Sequence, residues 1–172
     1  MTVREQEELI RRLPIETAVA WNAEGVAILK KSGEKDRIVF TDEELVLLQG
    51  TVFTHNHPSG LAFLKNDPRS FGNSFSQADL RLACCVSLTE LRAVTPRLRF
   101  LLKPSSAGWD TTYWEQVLEP IYLGHKADVT REILSALKLG KLRKPVAEAM
   151  HFHEICRRTA LEAGLNYQRE EN

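Results

Sequence analysis

The sequence has no excess of charge of either sign and no long apolar run. Its 172 residues include 23 Lys and Arg against 23 Asp and Glu, so the formal net charge is zero. Such a chain has no overall field that would attract nucleic acid or an anionic membrane, and we expect neither as a partner. No apolar run reaches the roughly eighteen residues of a membrane span, and MTVREQEELIRRLP lacks the core of a signal peptide, so we predict neither a membrane protein nor an exported one.

Cysteine is scarce as well, with three residues at positions 84, 85 and 156. This spacing fits neither a disulfide framework nor a zinc knuckle, and it indicates reduced thiols in a cytoplasmic protein. Cys84 and Cys85 fall in an apolar helical segment, where we expect both to be small core residues.

The chain is nevertheless 43% hydrophobic, enough for a core. Strand-like and helix-like segments alternate up to residue 104, which predicts an α/β fold with a sheet covered by helices. Strands are expected at ETAVAWN, VAILKKSG, DRIVF, TVFTHNHP, ELRAV and RLRFLLK. We divide the chain into a domain at 1–108 and a helical C-terminal extension at 109–172, held to the domain by Trp109, Tyr113 and Trp114.

The segment FTHNHPSG, residues 53–60, contains two histidines at the end of a predicted strand. Residues two apart in a strand point to the same face, so His55 and His57 would present both imidazoles side by side. Such a pair is either one half of a metal site or two ordinary polar residues of a strand end.

An acidic residue that could complete a metal site follows in FSQADL. Ser76 is placed to cap a helix, and Asp79 lies in the first turn. The pair is either a plain helix cap or the means of bringing a carboxylate to the two histidines. Two histidines, one aspartate and one open position are typical of a catalytic zinc site, where metal-activated water attacks a carbonyl and the Ser76 hydroxyl stabilises the oxyanion.

His55, His57, Pro58 and Gly60, followed by Ser76 and Asp79, form H-x-H-P-x-G and S-x-x-D, which together resemble the signature of the JAMM (MPN+) metallopeptidases. THNHPSG is especially similar to the bacterial RadC-like branch, and the segments around SFS and ELRAV resemble JAMM-like modules of phage and toxin systems. The resemblance covers about residues 14–104.

The JAMM resemblance implies a mixed central sheet in a deaminase-like three-layer arrangement. It also implies Zn²⁺ bound by His55, His57 and Asp79, and hydrolysis of a peptide or isopeptide bond in a protein or peptide substrate, which in known members adjoins a ubiquitin-like or sulfur-carrier protein. It places an upstream glutamate as general base. Glu16, before the first strand, is our candidate, and Glu44 is the alternative, although Glu44 already suits a capping box with Thr41.

Two segments depart from the family pattern. The spacer between His57 and Ser76 is longer than in most members, and it is either a tolerated surface insertion or a flap that grips substrate through Phe63 and Phe71. Residues 109–172 have no counterpart in the signature. His151 and His153 of HFHE are two apart on a predicted helix, so they point in different directions and do not suit a second metal site.

Two other functions remain open. A module of the same fold could bind partners through its C-terminal helices, for example in a phage or effector assembly, without turnover. A metal-dependent nuclease is suggested by the letters His55, Asn56 and His57, but the neutral charge gives a nuclease no phosphate-binding surface.

Overall fold

The computed structural model describes residues 1–171, which form a six-stranded sheet in the order β2-β1-β3-β4-β5-β6. β3 and β4 are parallel, and every other neighbouring pair is antiparallel, so the sheet is mixed. The prediction of an α/β fold with a mixed sheet and flanking helices is confirmed. The strands are β1 Thr17–Trp21, β2 Ala27–Ser32, β3 Val52–Asn56, β4 Glu90–Val94, β5 Leu98–Lys103 and β6 Asn166–Glu171.

Three helices begin at capping boxes. Thr2, Thr41 and Ser76 each accept a hydrogen bond from the backbone three residues later, and the acidic side chain there returns a bond to the cap backbone. The helices are α1 Val3–Ile10, α2 Asp42–Leu48, α3 Gln77–Cys85, α4 Thr111–Tyr113, α5 Glu119–Lys138 and α6 Lys144–Glu162, with a π-helical turn Trp114–Leu118 between α4 and α5.

One face of the sheet is covered by α1 through a buried ionic cluster. The carboxylate of Glu7, fully buried, accepts hydrogen bonds from Nε of Arg92 and Nε of Arg99, each at 2.5 Å. The Thr54 hydroxyl donates to Glu7 Oε1 at 3.2 Å, and Arg92 also pairs with Glu90. Because each charge has an opposite partner, burying this cluster does not leave an isolated ion.

The opposite face carries the hydrophobic core, because alternate strand residues point to opposite sides. The extension packs on this face: Trp109 and Trp114 are buried, and the indole Nε1 of Trp109 donates to the Leu88 carbonyl oxygen at 2.6 Å. The packing of these aromatics agrees with the prediction. The core joins residues of the sheet, α3, α5 and α6, including Phe53, Leu80, Leu91, Phe100, Leu118, Tyr122 and Ile155.

The extension is not wholly helical, which corrects the prediction. Residues Asn166–Glu171 form β6, which pairs with β5 from Leu98↔Glu171 to Lys103↔Asn166. The sequence did not predict this strand, because NYQREE lies at the edge of the sheet and its apolar and polar residues do not alternate clearly. Tyr167 stacks on Phe100 with ring centroids 6.4 Å apart. The last residue of the predicted extension, Asn172, lies outside the described residues.

Two smaller predictions are also wrong. DRIVF is not a strand, because Ile38 and Phe40 pack on the core instead of pairing with a neighbour, and the Phe40 ring meets Phe53 edge-on at 6.0 Å. Cys84 is buried as predicted, but Cys85 is exposed.

Within residues 1–171, no helix has the length and apolar character needed to cross a membrane.

Candidate metal centre

The two histidines of FTHNHPSG lie at the end of β3 with their rings together. Nε2 of His55 and Nε2 of His57 are 2.8 Å apart, and both side chains are almost fully buried. The His57 amide makes a last bond to the Val94 carbonyl oxygen, and Pro58, which has no N–H, follows and begins a 3-10 helix. The chain therefore leaves the sheet directly after placing both imidazoles on one face.

The carboxylate of Asp79 reaches the histidines from the first turn of α3. Its Oδ1 lies 3.2 Å from Nε2 of His55, and its Oδ2 lies 3.6 Å from Nε2 of His57. Oδ2 also accepts hydrogen bonds from the Ser76 amide at 2.7 Å and the Ser76 hydroxyl at 2.8 Å. The helix cap therefore uses Oδ2, while Oδ1 faces His55.

The donor set fits a metal ion. Nδ1 of His57 lies 2.9 Å from the Asn73 carbonyl oxygen, which can only accept, so Nδ1 carries a proton and Nε2 is the nitrogen that would bind a cation after losing its own proton. Nε2 of His55 and the Asp79 carboxylate converge on the same point, and all three ligand atoms lie within 4.8 Å of one another. One cation placed among them would satisfy these lone pairs together.

The attraction between the Asp79 carboxylate and the two histidines offsets the cost of burying them. Burial would raise the pKa of Asp79, but the charges and hydrogen bonds of His55 and His57 hold this pKa well below its ordinary value. Burial would also lower the pKa of His57, yet the hydrogen bond and charge of Asp79 raise it. The Asp79 carboxylate is therefore ionised at neutral pH and available to a cation.

Glu16 lines the same cleft as His55, His57 and Asp79, whereas Glu44 does not. Burial raises the pKa of Glu16 above its ordinary value, and the positive charges of the two imidazoles oppose this. Glu44 instead accepts from the Thr41 amide at 2.8 Å and pairs with Lys31 at 2.5 Å. Of the two candidate bases, only Glu16 lines the cleft with the candidate metal ligands.

Comparisons of the chain with protein-family models, curated proteins and solved structures found no match. The resemblance to JAMM proteins therefore rests on the sequence motif alone.

Ser76, the predicted oxyanion donor, lines the cleft but is already engaged. Its hydroxyl donates to Asp79 Oδ2 at 2.8 Å and accepts from the Asp79 amide at 3.2 Å. Stabilising an oxyanion would require the hydroxyl to rotate away from Asp79.

The long spacer is an ordered part of the cleft wall. It contains two 3-10 helices, Pro58–Ala62 and Pro68–Phe71, followed by Gly72 at φ +75°. A Cβ on Gly72 would lie 2.7 Å from Cγ2 of Thr95, so this close turn requires glycine. The Thr95 hydroxyl also donates to the Phe71 carbonyl oxygen at 2.6 Å, which fixes the loop against the end of β4.

The two loop phenylalanines predicted to contact substrate have different surroundings. Phe63 lines the cleft, and the Arg69 guanidinium lies 4.2 Å from its ring centroid. Phe71 does not line the cleft, contrary to the prediction, because it packs against the core beneath the Arg97 guanidinium, 3.8 Å from its ring centroid.

Sequence reasoning missed two contributors to the site. Phe152 of α6 lines the cleft, although its HFHE segment had been considered only for its histidines. The carbonyl oxygen of Asn73 orients His57, and no sequence pattern marks a backbone acceptor of this kind. His151 and His153 bond to Thr130 and Tyr167 respectively, and in the described part of the chain they join no metal-binding group.

Proposed function

We propose that the chain is a zinc-dependent hydrolase of the JAMM type that cleaves a peptide or isopeptide bond. The observation that carries the proposal is the convergence of His55, His57 and Asp79 in a cleft that Glu16 also lines. The motif that resembles the JAMM signature supplies the same three ligands.

The donor set favours zinc. Two imidazole nitrogens and one carboxylate oxygen, with a position left for water or substrate, form the usual ligand set of catalytic zinc, and imidazole is a poor ligand for magnesium or calcium. When bound, zinc would polarise a carbonyl group and make water acidic enough to attack near neutral pH.

The other side chains have roles that follow from their positions. Glu16 would take a proton from the attacking water and deliver it to the leaving amine, a task suited to a carboxyl whose pKa is raised by burial. The Ser76 hydroxyl would turn from Asp79 toward the developing oxyanion. Asn73 would hold the His57 ring in place through its carbonyl oxygen.

The cleft favours a peptide substrate with apolar side chains near the scissile bond. Its volume is about 760 Å³. Aromatic and aliphatic side chains form much of its wall, whereas the charged residues at one rim, Lys35, Asp36 and Arg37, carry both signs. A rim of mixed charge does not suit a nucleic-acid backbone. The extended tail of a protein, including a ubiquitin-like one, would fit this chemistry.

The test is cleavage of a peptide mixture by zinc-loaded protein. Linear peptides and peptides joined through a lysine Nζ are incubated with the protein, and products are identified by mass spectrometry. We expect cleavage that falls about a hundredfold or more in Glu16→Gln with zinc still bound, and that persists in Glu44→Gln. Fully zinc-loaded protein that cleaves nothing would contradict a hydrolase and favour a binding module of the same fold.

A further inference from the structure

Asn56, the residue between the two histidine ligands, makes three hydrogen bonds that converge on the segment containing Glu16. Strand alternation directs its side chain to the face opposite His55 and His57, and the residue is fully buried. Its Oδ1 accepts from the Thr17 amide at 2.6 Å, and its Nδ2 donates to the carbonyl oxygens of Leu13 and Ile15, each at 3.1 Å. Every one of these partners belongs to residues 13–17.

The Asn56 carboxamide continues the pairing between β1 and β3 after their backbone register ends. The last backbone partners are Ala18 and His55, and the next pair in the register would be Thr17 and Asn56. At that position Oδ1 takes the Thr17 N–H as a backbone carbonyl would. On its other side, Glu16 is held by backbone bonds to Glu34 and Gly33, which belong to the turn after β2 and not to the metal site.

We propose that Asn56 is the positioning residue that fixes Glu16 relative to the metal ligands. The proposal rests on the function proposed above. Strand β3 then presents the two histidines on one face. On its other face, Asn56 anchors the backbone around Glu16, the proposed base. Asparagine suits the position because one amide offers an acceptor and two donors, whereas aspartate has no donor and alanine has neither.

The test uses Co²⁺ in place of zinc, because its visible absorption reports on the site without a substrate. Co²⁺ affinity and the pH midpoint of the spectral change are measured for wild type, Glu16→Gln, Asn56→Ala and the double variant. An ionised carboxylate beside the cation raises the pKa of the cation's water ligand, so Glu16→Gln should lower the midpoint. We expect Asn56→Ala to lower the midpoint too, with less than ~10-fold loss of Co²⁺ affinity. The midpoint of the double variant should shift no further than that of Glu16→Gln alone.

Thr54→Val is the matched control, since Thr54 lies two residues earlier on the same face of β3, is also buried, and bonds to Glu7. It should retain the wild-type midpoint. If the Asn56→Ala chain does not fold, Asn56→Ser is measured instead, because its short hydroxyl side chain adds no charge and cannot make all three hydrogen bonds. A wild-type midpoint in the Asn56 variant that folds, or shifts that add in the double variant, would overturn the inference. Wild-type protein that binds no Co²⁺ would overturn the proposed function itself.

Discussion

At the scale of single residues, the two carboxylate oxygens of Asp79 serve different purposes, one structural and one chemical. Oδ2 closes the cap of α3 with Ser76, and Oδ1 is directed at His55. The sequence left a plain cap and a metal ligand as alternatives, and the geometry accommodates both. The cap also explains why the carboxylate is held so firmly, because its bonds to the helix backbone fix the side-chain rotamer.

Ser76→Ala separates the cap from its proposed catalytic role, with Thr41→Ala as its matched control. Both variants remove the side chain of a capping box, so each should lower the free energy of unfolding by about 1 kcal/mol in urea denaturation. Only Ser76→Ala should also lower turnover, by about a hundredfold, through loss of an oxyanion donor. Equal turnover in the two variants would show that Ser76 is only a cap.

Glu7→Gln should be the more damaging of two changes in α1. Glu7 is fully buried between Arg92 and Arg99, so its amide would leave two buried guanidinium groups without their shared carboxylate. We expect a loss of about 3–5 kcal/mol in the free energy of unfolding. Glu8→Gln, whose side chain is 58% exposed although it contacts Arg99, should cost less than ~1 kcal/mol. Similar losses in both variants would refute the importance of the buried cluster.

At the scale of elements, the 61–73 loop and α6 form one wall of the cleft. Arg69, stacked on Phe63, also pairs with Glu148 of α6 at 3.3 Å. The loop is therefore tied to the extension as well as to the end of β4. Its removal would also take away the Asn73 carbonyl oxygen that accepts from His57.

Phe152→Ala tests whether the wall contributes to substrate capture. Truncation removes part of the apolar lining without touching a metal ligand, so we expect unchanged zinc content and a roughly tenfold higher KM for peptides with large apolar side chains. KM for peptides with small side chains should change less. Met150→Ala, on the same helix but not lining the cleft, is the control. An unchanged KM for every peptide would remove Phe152 from the substrate site.

The elements that sequence patterns predicted well are those with local signals. Caps at Thr41 and Ser76 located α2 and α3, and apolar runs located β1 to β5. In the fold, His55, His57, Asp79 and the candidate base Glu16 line one cleft. Contacts between distant segments had no local signal, so β6, the Phe152 contribution and the hydrogen bonds of Asn56 could be seen only in the fold.

At the scale of the whole molecule, the end of the chain joins the sheet and the metal-site loop through one buried network. The Tyr167 hydroxyl of β6 lies 2.8 Å from Nδ1 of His153 in α6 and 2.8 Å from the hydroxyl of Ser74, which lines the cleft. The C-terminal extension therefore contacts the segment that carries Asn73 and Ser76.

This network predicts an acid-sensitive stability. Burial, reinforced by the charge of Arg169, lowers the pKa of His153 to about 4, so the unfolded chain binds a proton there before the folded one does. The stability contribution is present above the ordinary pKa of about 6.5 and is lost as the pH falls toward 4. We expect a loss of up to about 3 kcal/mol in the free energy of unfolding across this window, and a smaller one in His153→Gln. Denaturation curves at several pH values would give the free energy of unfolding of each protein. An equal change of this free energy with pH in wild type and His153→Gln would contradict the prediction.

Metal analysis of the purified protein would show whether His55, His57 and Asp79 bind a metal ion. Protein purified without chelator is measured by mass spectrometry for metal per chain, beside the His55→Ala, His57→Ala double variant and a His125→Ala, His151→Ala control with both substitutions outside the site. We expect close to one zinc per chain in wild type and control and almost none in the His55, His57 variant. Wild-type protein without metal, or a His55, His57 variant that keeps its metal, would show that these residues do not form a metal site.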